Sequence, residues 1–428
     1  MATFSIVMIG FFALAFLGLP IVWSILAATL LYMIMSPGSY TFEGMTLAFI
    51  GGVEPFHLLA VPMFIVAGEL MGRGGVSGRM IDFASKCLSF LPGSLGVVTV
   101  TSSMVFAGVS GSAVADSAAV GGVMIPGMQR RGYTASFAAA LVAVAGTIGI
   151  IIPPSIPMIV FAFLAGTSVM ELFLAGFIPG LLFGLALILW SIYYARKHSW
   201  DPAGPMAPIN EIAKSFVNCL PALMMPLIIL GGIFCGVFTP TEAGAVAIVY
   251  SLLIGLFVYK ELTFSILPKI LLDSFITSAT VMIVIGATTA LAWVITLEGI
   301  PFMLVDAIKS FTSSKEVFLL IVNILLLVLG IFLEPVPALV LTAPLLLPVA
   351  KAMGVDPVHF GLIVVCNLAI GLFTPPVGGT LFVAAKIANA RMGEITRDLI
   401  PMFMICCVVL GIITYFPNFV MAPVYWFR

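Results

Sequence analysis

The chain has 428 residues, of which 62% are hydrophobic and 8% charged, and its formal net charge is −1. Soluble domains carry about 25% charged residues, so this composition excludes a water-soluble globular protein and predicts an all-α polytopic membrane protein. The net charge argues against nucleic acid as a partner, and the lipid bilayer is the expected surroundings.

The first predicted elements are three membrane-crossing helices and one surface segment. A helix needs about 20 mainly apolar residues to cross the hydrocarbon core. Residues 1–42 carry no charge, and Gly18 to Pro20 divides them into two crossings. Residues 55–72 form the third, and the polar stretch 73–86 that follows predicts an amphipathic segment at the membrane surface.

Residues 95–128 predict a helical hairpin that enters the membrane and turns back without crossing it. This stretch is too apolar for a surface loop and too rich in Gly, Ser and Ala for an ordinary core helix, with Ser110, Gly111 and Ser112 in its middle. Broken backbone at membrane depth is tolerated only where it is buried in protein or lines a cavity. These three residues therefore mark a candidate site for a small cation and its co-substrate.

The rest of the first half contains an interrupted helix, a crossing and a linker. Residues 134–165 would form one crossing, but Pro153-Pro154 interrupts it. Residues 172–195 cross back, and residues 196–214 form the linker between the two halves.

The second half follows the same plan. Its predicted segments are crossings at 215–238, 243–259 and 274–297, a polar stretch at 298–316, a second hairpin at about 317–350, an interrupted helix at 358–386 and a last crossing at 399–420. Glu334 and Pro335 lie at the turn of the second hairpin, and Thr374 precedes the Pro375-Pro376 interruption. The whole chain thus predicts ten spans and two hairpins.

The two halves match at a constant offset of 222 residues. The matched positions are Gly108 and Gly330, Pro126 and Pro348, Gly132 and Gly354, Ile148-Gly149 and Ile370-Gly371, and Pro153-Pro154 and Pro375-Pro376. Further upstream the offset becomes 224, as it is for Asp82 and Asp306. Paired Gly and Pro at one register are uncommon between unrelated apolar segments, so the chain is interpreted as a duplication.

Lys and Arg concentrate on the cytoplasmic side of membrane proteins, and this predicts how the repeats are oriented. If both termini lie outside and each hairpin returns to its own side, 13 of the 17 Lys and Arg residues are cytoplasmic. The other four are Lys309, Lys315, Lys351 and Arg428. The first hairpin then opens from the cytoplasm and the second from outside. Inverted repeats of this kind are typical of secondary transporters with a site near the bilayer midplane.

The two turns and the two proline-interrupted helices offer the oxygen ligands that hard cations such as Na⁺ prefer. Proline removes a donor and clashes with the carbonyl one turn back, so unpaired carbonyls are expected beside each proline pair. The candidate Na⁺ ligands are Ser103, Ser110, Ser112, Thr147, Gly149, Glu334, Gly371, Thr374 and Gly378. The candidate substrate-binding residues are Ser110, Gly111, Ser112, Pro153, Pro154, Pro335, Pro375 and Pro376. The alternative is that these small residues only let helices pack closely.

Two acids lie in apolar stretches of the sequence, where acids are costly and usually functional. Glu334 occupies the repeat position of Ser112, which favours a role at the site. Asp116 lies either at the site or near a wet surface of the hairpin. Glu69 lies at the end of a span and is expected at the membrane interface.

Five segments resemble the large membrane subunit, the DctM-like subunit, of tripartite ATP-independent periplasmic (TRAP) transporters, a family that includes sialic acid transporters. They are FHLLAVPMFIVAGELM (56–71), FAGVSGSAVAD (106–116), IIPPSIPM (151–158), TPTEAGAVA (239–247) and GLFTPPVGGTLFVAAKIA (371–388). The resemblance implies Na⁺-driven import of an organic acid across the bacterial inner membrane. It implies two partners, a separate small four-helix membrane subunit and a soluble periplasmic substrate-binding protein. Both termini of this chain would then be periplasmic.

The resemblance also implies an elevator-type fold like that of the ion-transporter superfamily, with a fixed scaffold and a moving transport domain. The division by residues would be scaffold helices at 1–72 and 215–297, transport parts at 73–195 and 298–428, and a cytoplasmic linker at 196–214. The transport parts would carry both hairpins and both interrupted helices.

Two other functions stay open on the sequence alone. A self-sufficient Na⁺ or H⁺ symporter would take up an organic anion without a binding protein. An intramembrane serine hydrolase would use Ser110 in the pattern Gly108-Val109-Ser110-Gly111, but it would need a His base beside that serine. The substrate is open among sialic acids, dicarboxylates, other sugar acids and oxo acids.

Overall fold

The computed structural model describes residues 2–35 and 40–427, and the secondary structure within these ranges is helical. Met1, residues 36–39 and Arg428 lie outside the described residues, so the expected periplasmic location of the two ends stays a prediction, as does the side assigned to Arg428. Eight helical segments in the described ranges are long and apolar enough to cross a membrane. The chain is therefore a multi-pass membrane protein.

The first half contains ten α-helices in its described part. They are α1 (Ala2–Phe16), α2 (Ile21–Met35), α3 (Phe42–Val53), α4 (Ala60–Arg73), α5 (Val76–Leu88), α6 (Ser94–Ser110), α7 (Ala113–Arg130), α8 (Ala135–Gly146), α9 (Ile156–Ala165) and α10 (Val169–His198). A 3₁₀ turn at Phe56–Leu59 leads into α4, and another at Thr147–Ile150 follows α8.

The second half contains eleven α-helices in its described part. They are α11 (Ile209–Phe234), α12 (Pro240–Leu253), α13 (Leu267–Leu297), α14 (Ile300–Phe311), α15 (Lys315–Phe332), α16 (Pro335–Ala352), α17 (Pro357–Gly371), α18 (Gly379–Ala388), α19 (Met392–Tyr415), α20 (Pro417–Val420) and α21 (Ala422–Phe427). A π-helical turn at Ile254–Val258 extends α12.

The helix boundaries follow the repeat found in the sequence. Shifting α16 back by 222 residues gives 113–130, the bounds of α7. Shifting α13 back by 224 gives 43–73, which covers α3 and α4 together. One helix of 31 residues thus corresponds to two helices in the first half. The break falls at Pro55, whose ring fixes φ and removes a backbone donor, whereas the matching position in α13 is Ala279.

Two of these helices, α3 and α14, are not predicted from the sequence. Helix α3 lies between the predicted second and third crossings, and the Thr41 side chain caps it by accepting from the Gly44 amide at 3.0 Å. Helix α14 lies in the stretch interpreted only as polar. It is amphipathic, because Ile300 is buried while Asp306 and Lys309 are exposed.

The two crossings predicted before residue 42 are shorter than expected. Helices α1 and α2 have 15 residues each, which is about 22 Å at a rise of about 1.5 Å per residue. The hydrocarbon core is about 30 Å thick. Neither helix reaches across it on its own length if it lies along the membrane normal.

Helices α8 and α17 form the centre of the protein. Every residue from Phe137 to Gly146 in α8 is buried, and so is every residue from Val358 to Gly371 in α17. Half of α8 is alanine, and such small side chains let neighbouring helices approach closely. Helix α18 of the second half packs on α7 and α8 of the first, and α16 packs on α9. The two repeats therefore interlock.

A second group of helices packs beside this centre. Helix α13 contacts α2, α3 and α4, and α12 contacts α4 and α11. The group meets the centre where α4 packs on α6 and where α13 packs on α16. These contacts bring α4 and α13 to the turns of both hairpins and so position the site.

The linker is shorter than predicted and docked on the protein. Helix α10 continues to His198 and α11 begins at Ile209, which leaves residues 199–208 between them. Asp201 in this stretch is 1% exposed. A freely solvated linker would not bury an aspartate.

Candidate functional site

The turn of the first hairpin lies where the sequence predicts it. Helix α6 ends at Ser110, and Gly111 follows with φ +62°, a left-handed conformation that glycine adopts without steric cost. Ser112 is extended and caps α7 by accepting from the Ala115 amide at 3.5 Å. Helices α6 and α7 are therefore joined by a turn of two residues.

Asp116 lies in the first turn of α7 and is fully buried. The Ser110 hydroxyl donates a hydrogen bond to its Oδ1, whereas Oδ2 has no hydrogen-bond partner among the described residues. The alternative that Asp116 faces a wet surface is therefore wrong. A buried carboxylate with one unpaired oxygen needs a compensating charge or proton, so Asp116 is a further candidate residue beside the ligands predicted from the sequence.

Gly149 leaves the space that Asp116 occupies. A Cβ atom added at Gly149 would overlap Asp116 Oδ2, which lies against this glycine. Gly149 belongs to the 3₁₀ turn between α8 and the Pro153-Pro154 break. The hairpin turn and the interrupted helix of the first half therefore meet at this carboxylate.

The turn of the second hairpin is built differently. Glu334 precedes α16 in an extended conformation, Pro335 is the first helical residue, and the Glu334 side chain makes no capping hydrogen bond. Glu334 is exposed rather than buried. Its side chain lines a cavity that is also lined by the first hairpin turn, and its role as a Na⁺ ligand stays a prediction.

Both hairpin turns line one cavity of about 170 Å³. The first hairpin contributes the residues from Ser110 to Ala115, and the second contributes Glu334, Pro335 and Val336. Helix α4 contributes Ile65, Gly68 and Glu69, and α13 contributes Thr277 and Val281. The cavity therefore lies between the two hairpins and the second group of helices.

Other candidate residues lie near the two interruptions and outside this lining. The Thr147 hydroxyl donates to the Val144 carbonyl at 2.8 Å, and the Thr374 hydroxyl donates to the Ile370 carbonyl at 2.7 Å. Each therefore bonds its own helix, although the oxygen lone pairs stay available as acceptors. Ser103 is buried on α6, and its hydroxyl has no hydrogen-bond partner among the described side chains and backbone.

The two proline pairs interrupt their helices as predicted. Pro153-Pro154 separates α8 and its 3₁₀ turn from α9, and Pro375-Pro376 separates α17 from α18. The Pro154 carbonyl lies close to Gly111, where a Cβ atom would sit 2.9 Å from it. The first break therefore contacts the first hairpin turn directly.

Two glycines of the candidate list make close backbone contacts in the second half. A Cβ atom at Gly371 would lie 2.5 Å from the backbone of Gly330 on α15. One at Gly378 would lie 2.8 Å from the Leu372 carbonyl. For these two positions the packing interpretation accounts for the glycine, and a role as carbonyl ligand stays a prediction.

Glu69 is held in an ion-pair cluster beside the cavity. Arg73 Nε lies 3.3 Å from Glu69 Oε2, and Arg73 Nη2 lies 2.9 Å from Asp273 Oδ2 on α13. Glu69 therefore reaches both the cluster and the cavity, and its expected place at the membrane interface stays a prediction. Its position in the cavity lining was not predicted.

Two interlocked helical repeats with a cavity between their hairpin turns define a membrane transporter. The chain belongs to the DctM component family of tripartite ATP-independent periplasmic transporters, whose family model matches residues 8–419. The resemblance seen in the sequence is thus confirmed. This family consists of transporter subunits, so the serine hydrolase interpretation is excluded; Ser110 donates to Asp116, not to a histidine.

Curated relatives align over almost the whole chain. The C4-dicarboxylate TRAP transporter large permease protein DctM of Pseudomonas aeruginosa is 42% identical over 94% of this chain and 93% of its own length. The sialic acid TRAP transporter large permease protein SiaM of Vibrio cholerae is 38% identical over 96% of each chain. The isethionate TRAP transporter permease protein DctMQ of Oleidesulfovibrio alaskensis is 40% identical over 96% of this chain but only 65% of its own length.

A solved structure supports the fold. The Alcanivorax borkumensis YdaH transporter matches with a TM-score of 0.62 at 13% sequence identity, over 88% of each chain. At this identity the likeness concerns the arrangement of the helices.

Proposed function

We propose that this chain is the transport subunit of a Na⁺-coupled importer of organic acids in the bacterial inner membrane. The observation that carries the proposal is the cavity in which the turns of both hairpins meet, in a chain of the DctM family. The two hairpins and interrupted helices would move as one elevator against the group formed by α1–α4 and α11–α13. The cavity lies at the boundary between the two groups, where such a movement would expose it alternately to each side.

One Na⁺ is proposed beside the first hairpin turn. Ser110, Asp116 and the carbonyls around Gly149 bring hard oxygen ligands together, and such ligands suit a small cation. The unpaired Asp116 Oδ2 would gain the compensating charge that its burial requires. A second Na⁺ is proposed at the matching place in the other repeat, near Glu334, Gly371, Thr374 and Gly378.

The anionic group of the substrate is proposed to bind between the starts of two helices. Helix α7 begins at Ala113 and α16 at Pro335, and both residues line the cavity. Helix N-termini carry partial positive charge and favour anions. The charged side chains that line the cavity are Glu69 and Glu334, and both would repel an anion. Bound Na⁺ would offset this repulsion, so the anion would bind more tightly when Na⁺ is present. Anion and cation would therefore bind together, which is the physical basis proposed for their coupling.

Two partners are proposed for this chain. Family membership and the relative named DctMQ support a small membrane subunit. They also support a periplasmic binding protein that delivers the substrate. The relatives are named for C4-dicarboxylates, sialic acid and isethionate, so the substrate is proposed to be a small organic acid whose identity the binding protein sets first.

Transport in proteoliposomes tests the proposal. This chain, its small subunit and its binding protein would be supplied with labelled succinate, N-acetylneuraminate or isethionate, at fixed pH and potential, with and without Na⁺. Uptake of one of these acids is expected to require Na⁺. Equal uptake in Na⁺-free buffer would refute the coupling. Na⁺-dependent uptake without any binding protein would favour the self-sufficient symporter.

A further inference from the structure

Each hairpin has two helical legs, and hydrogen bonds join these legs at the end opposite the turn. The residues that make these bonds differ between the two hairpins. In the second hairpin Lys315 at the start of α15 donates to the carbonyl of Gly354, which follows α16, at 3.1 Å. This hydrogen bond ties the two legs of the second hairpin together at the end opposite the turn. At the 222-residue offset Lys315 matches Gly93, which has no side chain to make the same tie.

In the first hairpin the tie comes from the linker. Asp201 Oδ2 accepts from the Ser94 hydroxyl and from the Leu95 amide, each at 2.9 Å. Its Oδ1 accepts from Arg131, just beyond the end of α7, at 3.4 Å. The Gly93 amide donates to the Asp201 carbonyl at 2.9 Å. One residue from outside the hairpin therefore holds both of its legs.

Aromatic packing fixes the linker at this place. Trp200 lies between rings of α8 and α10, with ring centroids 5.4 Å from Phe137 and 5.6 Å from Tyr194. It also contacts Tyr133 at 5.2 Å and stacks on His198 at 4.8 Å. Aromatic pairs at these separations stabilise each other beyond the area they bury, so the linker is held against α8 and α10.

The charge and position of Asp201 suit this role. Its carboxylate lies at the start of α6, where a helix favours negative charge and an acidic side chain satisfies the unpaired amides. It is 1% exposed, and bonds to two legs of one hairpin constrain how far those legs can separate. Helix α6 has 17 residues and is stiff over about 25 Å, so the position of this end affects the turn at Ser110.

We propose that Asp201 is a positioning residue of the first hairpin and that the linker segment Trp200-Asp201 holds the two legs of that hairpin in place. The segment fixes the two legs and thereby the geometry of the turn that lines the cavity. In the second hairpin the contact between the legs comes from Lys315, a residue of the hairpin itself. The Na⁺ dependence of uptake tests this role only if the proposed Na⁺ coupling is correct, whereas amide hydrogen exchange tests it independently of that coupling.

Hydrogen exchange and Na⁺ dependence of the whole complex test this assignment. Asp201→Ala is expected to speed amide exchange in peptides covering 93–98 and 128–134, while peptides at 315–320 and 352–358 keep their rates. In transport, it is expected to raise the Na⁺ concentration for half-maximal uptake several-fold. The matched control is Glu242→Ala, an acid that also accepts from a backbone amide at the start of a helix, here the Thr239 amide before α12 at 2.8 Å, away from the linker and the hairpin legs. This control is expected to leave both quantities unchanged.

A milder variant separates position from folding. Asp201→Asn keeps an acceptor for Ser94 and Leu95 but loses the attraction for Arg131, so it is expected to speed exchange only at 128–134. Unchanged exchange at Leu95, whose amide loses its carboxylate acceptor in Asp201→Ala, would overturn the tie. Faster exchange with unchanged Na⁺ dependence would overturn the positioning role. If the wild type itself showed no Na⁺ dependence, the proposed coupling would fail while the exchange result would still decide the tie.

Discussion

Gly149 and Asp116 depend on each other at the scale of single residues. Gly149→Ala would place a methyl group on Asp116 Oδ2 and displace the carboxylate. Displacing a buried polar group costs on the order of 1–3 kcal/mol, so the Na⁺ concentration for half-maximal uptake is expected to rise about tenfold. The control is Gly122→Ala on α7, where nothing lies within 4 Å of the added atom. Equal Na⁺ dependence of the two variants would remove Asp116 from the proposed site.

Thr374→Val tests the second proposed Na⁺ position while keeping the shape of the side chain. The hydroxyl donates to the Ile370 carbonyl, and its lone pairs are the atoms offered to Na⁺. Loss of one ligand from a weak site costs about 1 kcal/mol, so the Na⁺ concentration for half-maximal uptake is expected to rise roughly fivefold. Cys406→Ala on α19 is the comparison outside the site. Unchanged Na⁺ dependence at normal expression would mean that the hydroxyl serves only its own helix.

The sequence predicts the two hairpin turns because Ser110-Gly111-Ser112 and Glu334-Pro335 combine small or breaking residues with an apolar context. It does not predict which of the two acids is buried. Asp116 is buried because the chain folds Gly149 against it, a contact between residues 33 positions apart that no local pattern reveals. The sequence shows a glycine at position 149, but it does not show that Asp116 occupies the space where a side chain would be.

At the scale of helices, α15 and α17 approach each other through two glycines. Gly371→Ala would place a methyl group 2.5 Å from the Gly330 backbone, and backbone has no rotamer with which to yield. Overpacking of this kind costs about 1–3 kcal/mol, so the thermal midpoint of the purified protein is expected to fall by a few degrees. Gly411→Ala on α19, where nothing lies within 4 Å, is expected to leave it unchanged. An equal midpoint for both variants would mean that the helices shift apart without cost.

Helix prediction from the sequence succeeds where a break carries proline and where the stretch 73–86 predicts the amphipathic segment that α5 occupies, and it fails for α3 and α14. The proline pairs at 153–154 and 375–376 give both interruptions. Helix α3 has only 12 residues, which is below the length that identifies a membrane crossing. Its match in the second half is the first part of α13, which continues without a break through the region that matches α4. Comparison of the two repeats would have found it, since Pro55 matches Ala279.

At the scale of the whole molecule, the proposed coupling predicts that uptake responds to membrane potential. Two Na⁺ moved inward with one monoanion carry a net positive charge, and each such charge gains about 2.3 kcal/mol per 100 mV. An inside-negative potassium diffusion potential set with valinomycin is therefore expected to speed Na⁺-dependent uptake of a monoanion. Uptake at one rate over all imposed potentials would contradict a stoichiometry of two.

The two copies of the repeat hold their hairpins with side chains of opposite charge. In the first hairpin the Asp201 carboxylate accepts from Ser94, Leu95 and Arg131, and the matching position in the second half is Pro423, which has no carboxylate. In the second hairpin the Lys315 amine donates to the Gly354 carbonyl. A single electrostatic change, such as removal of one carboxylate, therefore loosens one hairpin and leaves the other closed.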